Sequence, residues 1–417
     1  MFLKRNNFIR IMRNNTWFLF SPFLLLYLIF IFAFAKSEFT GDESRYIRFA
    51  NHLLNGYYSP PAPDINLWNG PGYPLFLAPF IFLKFPLIML RLLNGVLLYF
   101  SLIINYKTLS IYSSKRSAIL FTMILGLYYP IYIGLPFILT EILTWFLISL
   151  ICFLFVKNYQ HKKQSWKLTL ITASLIACLA MTRIIFGYVI LSMMVVSVII
   201  CFLPKFHHSA KKSFLIFVLS FVFCLPYLIY TYNLTDKLFY WGNSGNMSLY
   251  TMSTPYIGET GQWYEQDSLL KNTNHKVFID SISKLTPLER DDAYKIVAIK
   301  NIINHPQKYL TNIIYNIGRL LFVPSDYVSK SILSYYPFIP NMFIVVFIFL
   351  AIGISIIQYK RIPQELIFLL IFVLIYLMGS CLVSAYRRMF YITMPFWILF
   401  ISYVFTNVIS IKFKQID

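Results

Sequence analysis

Long apolar runs separated by short charged gaps dominate this chain. A membrane span needs roughly 20 apolar residues. On that criterion the runs at 17–35, 87–106, 117–134, 137–156, 168–182, 184–203, 213–231, 338–358, 364–384 and 390–410 predict about ten transmembrane helices. Two intervening segments are long, 36–86 and 232–337. With the amino terminus inside, both fall on the exterior face. The expected fold class is an all-α polytopic membrane protein, with a transmembrane core over 1–231 that includes the first exterior loop (36–86). An exterior loop subdomain (232–337) and C-terminal transmembrane helices (338–417) complete it.

Polar and apolar positions also alternate within the loops. Tyr46, Phe49, Ala50, Leu53 and Leu54 recur at helical spacing, with Arg45, Arg48, Asn51, His52 and Asn55 opposite and Gly56 as a stop. Leu310, Ile313, Ile314, Ile317, Leu320 and Leu321 make a second stripe, with Pro306 suited to the first turn. Each predicts an amphipathic helix lying along a membrane surface. The stretch 240–264 is rich in Gly, Asn, Ser, Thr and aromatics, a loop composition that suits binding as well as mere exposure.

Composition agrees with the pattern. The 417 residues are 58% hydrophobic and only 12% charged, with a mean hydropathy of +0.66. A soluble chain of this size could not cover so much apolar surface. The net charge of +20 sits in short gaps: Lys4, Arg5, Arg10 and Arg13, then Lys115-Arg116, Lys162-Lys163, Lys211-Lys212, Lys360-Arg361, and Lys412 with Lys414. That is the positive-inside distribution of a bilayer protein and argues against nucleic acid as a partner. Met1 to Asn15 followed by so long a run reads as an anchor rather than a cleaved signal. Cys152, Cys178, Cys201, Cys224 and Cys381 all lie in apolar runs, which argues for small buried side chains rather than disulfides or a metal site. Asn, Lys and Ile usage points to a bacterial source, and hence to the inner (plasma) membrane, with a eukaryotic endoplasmic reticulum as the alternative placement.

Chemistry is expected where charge breaks these rules. Asp42 and Glu43 follow the first span directly, but neighbours on a helix face different directions, so a shared-proton pair is disfavoured. Thr40-Gly41-Asp42-Glu43 spells a capping box with Glu43 at its third position, which competes with a catalytic role for Glu43. Asp42 is not needed by that box, and a carboxylate at the mouth of a polar pocket suits a general base. Glu141 sits one turn inside the fourth span, where a charge costs about 2.5–3.5 kcal/mol at mid-membrane and less near the interface. Arg183, Arg387 and Arg388 fall on the exterior side against the charge rule. They suit a phosphate by forked hydrogen bonds, with snorkelling to lipid headgroups as the plainer alternative.

In these residues the chain resembles the GT-C class of integral-membrane glycosyltransferases, nearest to protein O-mannosyltransferases and lipid A aminoarabinose transferases. Asp42-Glu43-Ser44-Arg45-Tyr46 is similar to their Asp-Glu-x-Arg-Tyr segment, and Pro71-Gly72-Tyr73-Pro74 to the Pro-x-Tyr-Pro element closing that loop. Thr140-Glu141, Thr182-Arg183, Asn246, Gly258, Trp263, His305 to Leu310 and Tyr386-Arg387-Arg388 follow the family's order. At Trp68-Asn69-Gly70-Pro71 the chain departs: the lipid A transferases carry a Glu-Lys there, so a lysine contact to the donor is missing. The resemblance implies inverting transfer of a sugar from a polyprenyl-phosphate carrier to a glycan, lipid or protein acceptor on the exterior face. Asp42 and Glu43 would be the catalytic carboxylates, and Arg45, Tyr46, Tyr73, Glu141, Arg183, Arg387 and Arg388 would bind substrate. No cofactor is fixed by it; in metal-using relatives a divalent cation would be oriented by Glu43 and Glu141. From other classes, a flippase for lipid-linked sugars and a non-catalytic assembly protein are the competing readings. The absence of an evident repeat and of paired mid-span charges counts against the flippase.

Overall fold

The computed structural model describes residues 16–161, 164–322 and 338–409, and every regular element among them is helical. In chain order these are α1 (Thr16–Phe34), α2 (Glu43–Leu54), α3 (Gly72–Phe82), α4 (Leu87–Tyr112), α5 (Lys115–Gly126), α6 (Thr140–Gln160), α7 (Trp166–Thr182), α8 (Ile185–Cys201) and α9 (His207–Thr235). The second half holds α10 (Gly245–Met252), α11 (Gln266–Lys271), α12 (Thr273–Ile282), α13 (Pro287–Asn304), α14 (Pro306–Leu321), α15 (Phe338–Ile357), α16 (Gln364–Val383), α17 (Arg387–Tyr391) and α18 (Met394–Tyr403). Six of these, α1, α4, α6, α9, α15 and α16, are long and apolar enough to cross a membrane. That is the build of a multi-pass membrane protein.

The other apolar runs form shorter helices. α7 and α8 have 17 residues each, roughly 26 Å at the usual rise, just under a bilayer core. The run 117–134, expected as one span, is two pieces: α5 stops at Gly126 and Tyr129–Gly134 is a 3-10 turn. Pro130 cannot donate a backbone hydrogen bond there, and the carbonyl freed at Gly126 accepts from the Tyr27 and Tyr132 hydroxyls at 3.1 and 2.7 Å. The run 390–410 likewise divides into the end of α17, then α18 and a π turn at Val404–Val408. Inside the bundle, buried amides tie helices together. Asn105 Nδ2 donates to Ser149 Oγ at 2.8 Å and Asn158 Nδ2 to Thr169 Oγ1 at 3.0 Å. Between apolar helices in lipid, such bonds supply adhesion that hydrophobicity cannot. Of the cysteines, Cys152, Cys224 and Cys381 are buried, whereas Cys178 is exposed and Cys201 half-buried, so burial does not extend to all five.

The basic gaps gather at one end of the bundle. Lys212 Nζ donates to His161 O at 2.8 Å, Gln364 Nε2 to Lys205 O at 2.9 Å and Arg361 Nη1 to Val408 O at 3.2 Å. Tyr112, at the end of α4, donates to Glu365 at 2.6 Å. Lys4, Arg5, Arg10, Arg13, Lys162, Lys163, Lys412 and Lys414 lie outside the described residues.

The two loop helices differ. The apolar face of α2 is not laid on a surface: Tyr46, Phe49 and Ala50 are buried against α3, an apolar helix the alternation in this loop did not suggest. On α14 the polar side faces inward instead. Asn312 Nδ2 donates to Met252 O at 2.9 Å and Asn316 Nδ2 to Cys381 O at 3.0 Å, while Leu310, Ile314 and Ile317 stay exposed. Between α9 and α14 the chain builds a small core of its own around Met247, Tyr250, Leu269, Ile279, Ile282 and Tyr294.

Candidate functional site

A cavity of about 510 Å³ opens at the bundle end opposite the basic gaps. It is lined where helices begin or stop: Thr140 and Glu141 open α6, Thr182 and Arg183 close α7, Ile185 opens α8 and Val383 closes α16. The loop before α3 reaches this spot by close backbone approach. A Cβ on Gly70 would meet Met181 O at 2.0 Å, and one on Gly72 would meet Thr182 N at 2.6 Å. Only glycine lets that loop lie against the end of α7.

Asp42 stands at the start of α2, after Gly41 turns the chain with φ +57. Its carbonyl takes the first helical N–H groups, from Arg45 and Tyr46, but its carboxylate makes no cap. The carboxylate faces the cavity, 3.1 Å from Arg45 Nη2 and 3.9 Å from Arg388 Nη1. Arg388 Nη1 is also 3.7 Å from Glu141 Oε1, which in turn is 2.7 Å from Arg183 Nη2. The charges therefore alternate along one wall: Arg45, Asp42, Arg388, Glu141, Arg183. Glu141 is buried, and its Oε2 has no hydrogen-bond partner among the described residues; nor has Arg183 Nε. Polar atoms at that depth are normally satisfied, so their vacancy marks a place for a ligand or water.

Asn69 organises the next layer. Its Oδ1 accepts from Arg45 at 3.4 Å and its Nδ2 donates to the Tyr46 hydroxyl at 3.2 Å. Arg45 also lies 5.4 Å over the Trp68 ring. Tyr73 is buried edge-on to Tyr46 with ring centroids 5.0 Å apart, supporting it from behind without lining the cavity. Burial, then the nearby Asp42 and Glu141 charges, push the Tyr46 phenol well above its ordinary range. Tyr46 thus keeps its proton.

Besides Tyr73, two more expected site residues lie off the cavity. Glu43 is fully buried and its carboxylate is consumed. It pairs with Arg91 at 3.1 Å and accepts from Ile138 N at 2.8 Å and Thr40 N at 2.7 Å. Arg91 further binds the carbonyls of Lys36 and Glu38. The capping box is only half formed, because the Thr40 hydroxyl donates to Glu43 instead of accepting from the backbone. A step of about 100° round the helix turns Glu43 away from Asp42's cavity. Arg387 is buried, sits apart from the cavity, and leaves Nε and Nη1 unpaired among the described residues. Its neighbour Arg388 takes the place expected of both.

No protein-family model matches this chain, and no curated protein or solved structure matches it. What the site can do follows from its own residues. Among the described residues no three His, Cys, Asp or Glu side chains gather to hold a metal ion. The two carboxylates expected to orient a divalent cation do not share a site: Glu43 is sealed against Arg91, while Glu141 pairs with Arg183 in the cavity wall. The cavity also gains residues that the sequence had not singled out by number: Ser244, Ser248, Glu265, Gln266, Tyr376 and Ser384. All but Glu265 are neutral polar side chains, which carry no cost signal in a loop or at a helix end. Trp263 and part of the 240–264 stretch do reach the lining, as their composition allowed.

Proposed function

We propose that this protein transfers a sugar from a polyprenyl-phosphate carrier to an acceptor on the exterior face of the membrane, with inversion at the anomeric carbon. One observation carries the reading: the alternating wall Arg45, Asp42, Arg388, Glu141, Arg183 around a cavity between helix ends. Along that wall three guanidinium groups stand against two carboxylates, with Glu265 as a third acid elsewhere on the lining, so the arginines are placed to hold a sugar phosphodiester locally rather than through a net charge of the cavity. The basic gaps at the opposite end orient that cavity outward by the positive-inside rule. All the apolar runs then serve as spans or near-spans, 117–134 included despite its break, because it carries the chain from the basic end at Lys115 to the cavity at Thr140; the proposed location is the bacterial inner membrane.

In the reaction, the donor phosphate draws Arg388 and Arg45 and loosens their hold on Asp42. Asp42 accepts the acceptor's hydroxyl proton while the acceptor oxygen bonds to the anomeric carbon. The bond from that carbon to the phosphate oxygen breaks, and its electron pair stays on the carrier phosphate. Negative charge thus grows on the phosphate during the step, so the arginines bind the transition state more strongly than the substrate. Glu141 holds Arg183 in place and offers its free Oε2 to a sugar hydroxyl. Asp42→Asn tests this. Turnover of a radiolabelled polyprenyl-phosphate sugar in proteoliposomes should fall by about 10²-fold or more, the usual worth of a general base. Insertion and protein amount should be unchanged. Normal turnover in that variant removes the mechanism, and mass spectrometry of envelope glycans with and without the protein names the sugar and its attachment point.

A further inference from the structure

Beside this cavity lies a second of about 510 Å³, a half-open hollow between α2, the loop before α3 and the exterior helices α10 and α13. Trp68, Met247 and Gln266 line both cavities, so they form a shared partition. Four polar atoms on residues of the second cavity have no hydrogen-bond partner among the described residues: Asn243 Oδ1, Arg290 Nε, Asp291 Oδ1 and Tyr294 Oη. Asn243, Asp291 and Tyr294 are 7%, 1% and 5% exposed. Burying one such atom unsatisfied is costly, and residues that line one hollow carry four of them, which marks its wall as polar.

The chemistry of the lining narrows that occupant. Asn243 and Asp291 offer acceptors, Arg290 a donor, and the Tyr294 hydroxyl either. Asp291 is held in place by its other oxygen, which accepts from Tyr240 and Asn246 at 2.8 Å each. A ligand must therefore donate and accept at neighbouring positions, as vicinal hydroxyls do. Arg48, Arg290, Asp64 and Asp291 all line the same space, so its formal charges balance and favour neither an anion nor a cation. Trp68 supplies a ring surface for the apolar C–H face of a pyranose. We infer that the second cavity holds the acceptor, and that the acceptor is a neutral saccharide whose end hydroxyl passes Trp68 to reach Asp42. This rests on the transfer reading for the order of events but not for the binding itself.

Binding is therefore measured without any donor. Saturation-transfer NMR on the full-length protein in nanodiscs would use short neutral gluco-, manno- and galacto-oligosaccharides, with uronic-acid oligomers as the charged comparison. At least one neutral series should bind. Tyr294→Phe, which removes a hydroxyl with no partner in the protein, should weaken it about tenfold, as should Arg290→Lys. The unfolding midpoint of Tyr294→Phe should match that of the parent chain. No neutral binding, binding of uronic-acid oligomers alone, or equal affinity in Tyr294→Phe overturns the inference. Saccharide binding that depends on Tyr294, with no turnover of any carrier-linked donor, would instead sink the transferase reading and leave this site standing.

Discussion

Asp42 and Glu43 are adjacent in sequence and opposite in situation. Asp42 is partly exposed in a cavity between two arginines, whereas Glu43 is sealed in a hydrogen-bonded socket with Arg91. Removing the charge from one partner of a buried pair leaves the other uncompensated, at a cost of about 3–5 kcal/mol. Glu43→Gln should therefore lower the thermal unfolding midpoint in detergent sharply, while Asp42→Asn should leave it almost unmoved and abolish turnover. Equal midpoints for the two variants would contradict these assignments. At this scale the sequence spoke through expense: Glu141, Arg183 and Arg388 stood out because charge at a membrane boundary needs a reason. Arg387 and Arg388 could not be told apart, since the turn between α16 and α18 decides which one faces the cavity. Asn69 was silent because an amide in a loop breaks no rule.

Among the elements, the helices between α9 and α14 are joined by a buried carboxylate, Glu259. Glu259 accepts from Asn272 at 3.1 Å, Asn274 at 3.0 Å and His275 at 2.9 Å, and also from Thr254. Burial alone would push its pKa up, but these hydrogen bonds outweigh it and hold the carboxyl below its usual range. A depressed acid stabilises the fold fully above its unfolded value, about 4.3 for Glu, and that contribution is lost as pH falls through the lower folded value. Hydrogen exchange across 245–304 should accordingly rise on acidification in that window, and Glu259→Gln should remove the pH step. A step that persists in the variant would point to another group. Helix existence was legible wherever apolar residues ran for a full bilayer thickness. The break inside 117–134 was not, because Gly126 and Pro130 sit in text that remains apolar on both sides. The orientation of α2 was hidden for a related reason: a helical stripe marks a face to be covered, and α3, rather than lipid, covers it.

For the molecule as a whole, the separation of basic gaps from the cavity carries the proposed orientation across the bilayer. Val277 on α12 is 81% exposed and Lys211 near the start of α9 is exposed at the other end. In a background lacking the five native cysteines, Val277→Cys should react with an impermeant maleimide added outside intact cells. Lys211→Cys should react only after permeabilisation. The reverse pattern would invert the orientation and remove the outward-facing site. Finally, Arg91 grips the carbonyls of Lys36 and Glu38 as well as the Glu43 carboxylate. The short tether from α1 to Asp42 is thereby nailed down at both of its margins by one side chain of α4. Its length works as a ruler. A single-residue insertion between Glu38 and Asp42 would swing the carboxylate off the reaction axis while every helix remained intact.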